Sequence, residues 1–194
     1  VKPIDGVQLI VGLGNPGGDY TDTRHNAGFW FVDAVAESYG ERFSAQGKFF
    51  GETARISLAG GPCWLLKPST FMNRSGQAVS ALASYYKIEL QNILVAHDEL
   101  DLPPGQARLK QGGGHAGHNG LRDIIKAMSG QDFLRLRLGI GHPGDKSQVV
   151  SYVLGRASKQ DDQQIHEAID LAVKQLDDLS LGRLDPVMQH LHSN

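Results

Sequence analysis

The chain has 194 residues, 40% of them hydrophobic and 21% charged, with a formal net charge of -2; this is the size and balance of one soluble globular domain able to bury a core. No apolar run approaches the ~20 residues of a membrane span, the start VKPIDG carries no apolar signal stretch, and the single cysteine, Cys63, excludes an internal disulfide. The expectation is a cytoplasmic, monomeric protein, one domain over residues 1–194, in which residues 1–7 are a lead-in that is either disordered or foreign to the native chain.

In chain order, the first apolar run, Gln8 to Leu13, reads as a strand and enters Gly12-Leu13-Gly14-Asn15-Pro16-Gly17. By letter this is a G-x-G-x-x-G dinucleotide fingerprint, which requires a helix starting at its third glycine so that the helix N-terminus meets the pyrophosphate. Here Gly18 to Asn26 has almost no apolar period, Asn15-Pro16 starts a turn, and the helix begins only near Asn26, a plausible N-cap. Nucleotide binding is therefore not expected; the loop instead carries Asn15, Tyr20 and His25 past the strand end. A helix follows from Phe29 to Ser38, then strands at Ala54 to Leu58 and Cys63 to Leu66, a loop PSTFMNRSG, and a helix from Ser75 to Tyr86. The strand Ile93 to Ala96 runs into His97-Asp98-Glu99, and Ala107 to Lys110 is a further strand leading into the glycine-rich run Gln111 to Gly120. A helix from Leu121 to Met128, a strand from Phe133 to Ile140, and one long amphipathic helix through Ile165, Ile169, Ala172, Val173 and Leu176 complete the pattern. Strands separated by helices predict an α/β domain: a twisted, mostly parallel (mixed) central sheet, helices on both faces, and function at the strand ends.

Charge is unevenly distributed. Gly105 to Lys146 holds seven basic residues (Arg108, Lys110, Arg122, Lys126, Arg135, Arg137, Lys146) against three acids, a net +4. Ser158 to Asp185 reverses this, with seven acids against three basic residues. The two segments either decorate solvated surface or form a basic face and an acidic face.

Three loops carry chemistry-bearing side chains, each with a plainer alternative. An Asp beside a His can fix the imidazole tautomer and raise its basicity, as a water-activating base requires; His97-Asp98-Glu99 can equally be a solvated acidic turn. Phe71-Met72 on a loop either grips a ligand or packs into the core. The backbone N–H groups of the glycine run can hold a phosphate ahead of a helix, or the glycines serve a connection that simply moves.

GLGNPGGDYTDTRHNAG, PSTFMNRSG, VAHDELDLPPG, GGGHAGHNGL and RLRLGIGHPG resemble, in order and spacing, the bacterial-type peptidyl-tRNA hydrolases. The likeness runs from Gln8 to about Gly155, with Ala116 where the family often has another glycine and VKPIDG as an extra lead-in. The resemblance implies hydrolysis of the ester between a peptide and the 3'-terminal ribose of tRNA, recycling the tRNA, without cofactor or metal. It implies His25 as the general base and Asp98 as the group that orients it. Asn15, Asn73 and Asn119 would position the peptide and the 3' end, Asn15 distinguishing a blocked from a free α-amine. Tyr20, Phe71 and Met72 would line the groove, His118 would contact substrate, and Lys110 and Arg137 would face tRNA phosphate.

Rival classes are weaker on the residues. His97-Asp98-Glu99 and His115-x-x-His118 contain metal-ligand types, but neither has the helical H-E-x-x-H spacing, and no G-x-S-x-G elbow occurs. A non-enzymatic RNA-binding protein on the same scaffold is the alternative of substance, opposed by the presence of His25, Asp98 and all three asparagines.

Overall fold

The computed structural model describes residues 1–193. Its centre is set by the most apolar strand, β1 (Leu9–Gly12), where Leu9 and Val11 face one side of the sheet and Ile10 the other, as the two-residue strand period dictates. Around it lie β2 (Ser44–Gln46), β3 (Gly51–Leu58), β4 (Gly61–Pro68), β5 (Ile93–Glu99), β6 (Ala107–Gln111) and β7 (Leu134–Gly139), in the order β2-β3-β4-β1-β5-β7-β6. The inner strands β4, β1, β5 and β7 are parallel, while β2 on β3, β3 on β4 and β6 on β7 are antiparallel. The sheet is thus mixed, parallel at its centre and antiparallel towards both margins.

Helices cover both faces. The Leu9/Val11 side packs Val79 and Leu82 of α2 (Ser75–Tyr86) and Leu121 and Ile124 of α3 (Asn119–Met128). The Ile10 side packs Phe31, Val32 and Val35 of α1 (Ala27–Ser38), a short α4 (Val149–Val153), and Ile165 and Ile169 of α5 (Lys159–Val173), followed by α6 (Leu176–Ser180) and α7 (Leu184–His192).

The structure departs from the sequence pattern in several places. The long C-terminal helix stops at Val173, and Leu176 opens a separate helix. The chain bends there so that α7 can cover the outer edge of β6, where the Leu109 N–H donates to His192 Nε2 at 3.1 Å and Arg108 donates to the Leu191 carbonyl at 3.1 Å; an uncovered edge would leave these groups for water or a second chain. The lead-in is also engaged. Lys2 and the Gln111 side chain exchange two hydrogen bonds, at 2.7 and 2.9 Å, and Val7, 2% exposed, donates to the Leu179 carbonyl. Its apolar and main-chain partners come from distant parts of the chain. Finally, β5 runs on through Glu99, so His97 and Asp98 are strand residues, both buried, and the reading of a solvated turn fails.

Candidate active site

The C-terminal ends of β1 and β5 lie side by side, Gly12 in register with Ala96. Above them the loop after β1 is held by an amide exchange: the Asn15 N–H donates to Asn26 Oδ1 at 2.9 Å, and Asn26 Nδ2 donates back to the Asn15 carbonyl at 3.0 Å. Asn26 occupies the N-cap position of α1 but makes no side-chain capping bond, because its amide is committed to this loop. The closure sets His25, in the short turn before α1, over Asp98.

Asp98 is 4% exposed and accepts at both oxygens, from His25 Nδ1 on Oδ2 and from His118 Nε2 on Oδ1, each at 2.9 Å. The backbone around His118 fixes the position of one proton. His118 caps α3, its Nδ1 accepting from the N–H groups of Gly120 and Leu121 at 3.2 and 3.3 Å, so in the neutral ring the proton is on Nε2, directed at Asp98. Burial acts to raise the Asp98 pKa, but the two imidazoles, by charge and hydrogen bonding, hold the carboxyl well below the usual carboxylate range. Burial likewise acts to lower the His25 pKa, and the Asp98 charge and hydrogen bond outweigh it, leaving the ring above its ordinary value. His25 therefore carries its neutral-state proton on Nδ1, and Nε2 has no hydrogen-bond partner among the described residues. His97, buried beneath, donates from Nδ1 to the Asp98 carbonyl at 2.8 Å. Burial above all, with the nearby His118, pushes its pKa down to about 3 and keeps it neutral.

One ring nitrogen each of His25 and His118 and an Asp98 oxygen lie within 4.8 Å of one another, which is metal-ligand spacing. The tautomer opposes that use: for His118 Nε2 to offer a lone pair, Nδ1 must take the proton and then faces two backbone donors.

The dyad opens onto a cleft of about 750 Å³. Of the residues singled out from the sequence, His25, Asp98, Asn15, Phe71, Met72, Asn73, Asn119, Lys110, His118 and Arg137 line it. Tyr20 does not; it stands edge-on against Phe71, ring centroids 6.0 Å apart. Met72 is buried and Phe71 is 57% exposed, so the pair divides between core and groove. Asn15 Oδ1 accepts the Met72 N–H at 2.7 Å, which leaves only the Nδ2 donors for a ligand. Asn73 and Asn119 are exposed. The basic residues divide as well: Lys110 is exposed, Arg137 is tied to Glu99 at 2.8 Å, and Arg135 is 2% exposed. The sequence reading missed one wall entirely, Val149, Val150, Val153 and Leu154 on and after α4. Its apolar run V-V-S-Y-V-L was the available signal, and Val150 stays 69% exposed at the cleft.

The peptidyl-tRNA hydrolase family model matches residues 9–194. The chain is 52% identical over 187 residues to a peptidyl-tRNA hydrolase of Neisseria meningitidis serogroup B, covering 96% of this chain and 97% of the relative. It is 54% identical, with the same coverage, to one of Xanthomonas axonopodis pv. citri. This chain belongs to the peptidyl-tRNA hydrolase family. The crystal structure of the peptidyl-tRNA hydrolase from Acinetobacter baumannii superposes with a TM-score of 0.94 at 47% identity, covering 98% of this chain and 97% of that one. A purine nucleoside phosphorylase from Toxoplasma gondii, at 11% identity and a TM-score of 0.51, shares the fold alone. The peptidyl-tRNA hydrolase match spans every cleft residue named above, from Asn15 to Leu154.

Proposed function

We propose that this chain hydrolyses the ester between a peptide and the 3'-terminal ribose of tRNA, with His25 as the general base. Water held between the scissile carbonyl and His25 Nε2 gives up a proton to that nitrogen as its oxygen attacks. The imidazolium that forms is stabilised by the Asp98 carboxylate. Asn15 Nδ2, Asn73 and Asn119 supply amide donors to the peptide carbonyls and to the oxygen that becomes negative in the tetrahedral intermediate. Collapse breaks the C–O bond, and the ribose alkoxide recovers the proton from His25 Nε2, so the enzyme ends as it began. An ester needs no covalent nucleophile here: general-base assistance contributes roughly 10²- to 10⁴-fold, and positioning the acyl group contributes much of the remainder.

The observation that carries this reading is the fixed proton chain. His118 is locked as a donor to Asp98, Asp98 is locked as an acceptor from His25, and the remaining nitrogen of His25 is left for water on a ring that borders the cleft. A non-catalytic RNA-binding protein has no use for such a chain. Phe71 and the Val149 to Leu154 wall provide apolar surface for peptide side chains, and Lys110, Arg137 and the exposed Lys146 provide charge for phosphate. A tRNA substrate puts the protein in the cytoplasm. Action as a monomer is the matching reading, supported by the dyad and its cleft both being built within one chain.

The test is hydrolysis of a purified N-acetyl-aminoacyl-tRNA in the presence of EDTA. Wild-type protein is expected to remain active, and His25→Ala to lose at least a hundredfold in kcat while keeping its fold and its tRNA affinity. A His25→Ala variant with near-wild-type kcat overturns the assignment of the base, and complete loss with EDTA overturns the metal-free reaction.

A further inference from the structure

Arg135 belongs by charge with the basic residues that could meet phosphate, yet it lies in β7 between Val95 of β5 and Lys110 of β6 and is 2% exposed. A buried guanidinium in a strand is costly unless its donors are used; here both Nη nitrogens are used on backbone, while Nε is buried without a partner. Nη1 donates to the Gly114 carbonyl at 3.0 Å, and Nη2 donates to the carbonyls of Gly113 and Gln131 at 2.6 and 2.9 Å. The guanidinium also lies over the Phe133 ring, 4.1 Å from its centroid. Burial pushes its pKa down to about 10, with Asp132 acting the other way, and it stays charged at neutral pH.

Two of those three carbonyls belong to the glycine-rich loop. Gly113 takes φ +102°, a backbone conformation that an L side chain rarely adopts, so glycine presents its carbonyl to Arg135 without strain. At the far end of the loop His118 receives its place from a backbone bond to the His115 carbonyl at 2.9 Å, and there it caps α3 and donates to Asp98. The loop is anchored at both ends, and the short span from Gly114 to His118 transmits the position of one end to the other.

We propose that Arg135 is a positioning residue for the hydrolytic site: it fixes the Gly113-Gly114 end of the loop so that His118 meets Asp98. This rests on the reading of His25 and Asp98 as the reacting dyad. Lys cannot replace it, because one ammonium lacks the planar fork that serves two adjacent carbonyls. Release of the loop withdraws the His118 N–H from Asp98. The carboxylate then interacts more strongly with His25, the group it also faces, and water enters; both changes raise the His25 pKa.

The experiment follows the His25 ring directly, by NMR titration of its Cε1–H in Arg135→Lys, in His118→Asn (which keeps an N-cap) and in the double variant. Arg135→Lys is expected to move the His25 midpoint upward by about half a pH unit or more, in the same direction as His118→Asn. In the double variant the two shifts do not add. kcat on N-acetyl-aminoacyl-tRNA falls roughly ten- to hundredfold with a smaller change in KM. An unmoved midpoint in folded Arg135→Lys, or additive shifts, overturns the proposal, since a merely stabilising Arg135 would change the melting temperature and the active fraction without touching the titration. If Arg135→Lys does not fold, the wild-type protein decides: separate, slowly exchanging Nη proton signals and protected loop amides support the anchor, and an averaged guanidinium signal with unprotected loop amides overturns it. The titration does not depend on turnover, so an active His25→Ala enzyme would remove the base assignment and leave the loop anchor standing or falling by itself.

Discussion

Replacing Asp98 by Asn exchanges one acceptor oxygen for an NH₂ group and tests the proton chain at its centre. His118 is the stiffer neighbour, because Gly120 and Leu121 hold its Nδ1 as an acceptor. The amide oxygen of the substituted side chain must therefore face His118 Nε2–H, and its NH₂ group must face His25 Nδ1. That imposes the Nε2–H tautomer on His25 and points a proton, not a lone pair, at the water. The two escapes are to set the amide donor against His25 Nδ1–H, or to flip the amide against His118 and undo its cap on α3. Each leaves a buried donor unsatisfied, at about 1–3 kcal/mol. Loss of the carboxylate charge opposite the imidazolium adds to this, so an overall cost of roughly 4–5 kcal/mol, or about 10³- to 10⁴-fold in kcat, is expected.

The pH dependence is the sharper test. In the wild type the Asp98 charge holds the His25 pKa above its ordinary value, so the base is protonated, and activity is lost, as pH falls through that raised value. In Asp98→Asn the raising charge is gone while burial still lowers the pKa, so the acid limb moves to lower pH. The ratio of wild-type to variant rate should therefore grow from about pH 6 to about pH 8. Initial rates of N-acetyl-aminoacyl-tRNA hydrolysis across that range, with thermal melting to confirm the fold, decide the matter. A loss of less than tenfold, or a ratio that stays flat with pH, refutes the tautomer argument.

Further outcomes follow from particular contacts. Lys110→Ala should raise KM for full-length substrate and lower the salt slope by about one unit, without effect on a substrate ending at the acylated adenosine. Arg137→Ala should cost more, because it leaves Glu99 unpaired beside the cleft; adding Glu99→Gln should recover much of that loss, and no recovery removes the pair from the tRNA face. His97 has a folded pKa of about 3, so the unfolded chain takes up a proton below about pH 6.5 that the fold refuses, and stability is lost as pH falls from there. The contribution is about 2 kcal/mol by pH 5; urea unfolding of His97→Gln should show a correspondingly flatter profile between pH 7 and pH 5, and equal profiles exclude the effect. Asn15→Asp keeps the acceptor for the Met72 N–H but replaces the Nδ2 donors by negative charge, so kcat/KM should fall on N-acetyl-aminoacyl-tRNA and rise relative to it on the unblocked form, whose ammonium gains a counter-charge. An unchanged ratio returns Asn15 to a turn-forming role.

Where a local pattern carried the information, the sequence revealed it. Apolar runs located six of the seven strands, and β2 escaped because Ser-Ala-Gln is polar, short and exposed at the sheet edge. The helical period located α1, α2, α3 and α5, yet could not show where the last of these stops, since Lys174 and Gln175 carry no helix-breaking signal. The five motifs collected the dyad and most of the cleft but not its Val149 to Leu154 wall, and the site residues drawn from them line the cleft except Tyr20. What the sequence could not show were relations across space. The pairing of Arg137 with Glu99, the burial of Arg135 between strands and the tautomer of His118 are properties of the packed fold. A count of charges registers Lys110, Arg135 and Arg137 alike, although only Lys110 of the three is an exposed cation without a carboxylate partner among the described residues.

The false fingerprint shows how the same letters serve another end. A Cβ on Gly12 would meet the Gly28 carbonyl at 2.3 Å and Val32 Cγ2 at 2.6 Å, one on Gly14 would meet the Phe29 ring at 2.6 Å, and one on Gly28 would meet the Ala96 carbonyl at 2.3 Å. In a dinucleotide fold the third glycine likewise permits close helix–strand packing, while the first makes the tight turn and the second lets the backbone approach the pyrophosphate. Here every one of these contacts lies between protein groups, and α1 is drawn down onto β1 and β5. The residues between Gly14 and Gly28 then have to arch over the strand ends, and His25, three residues before Gly28, comes to rest against Asp98, two residues beyond Ala96. Restoring bulk at Gly28 would lift the helix from the strand and with it the base from its carboxylate. Gly12 and Gly14, two of the three glycines that imitate a nucleotide cradle, are therefore part of how the dyad is assembled, together with Gly28.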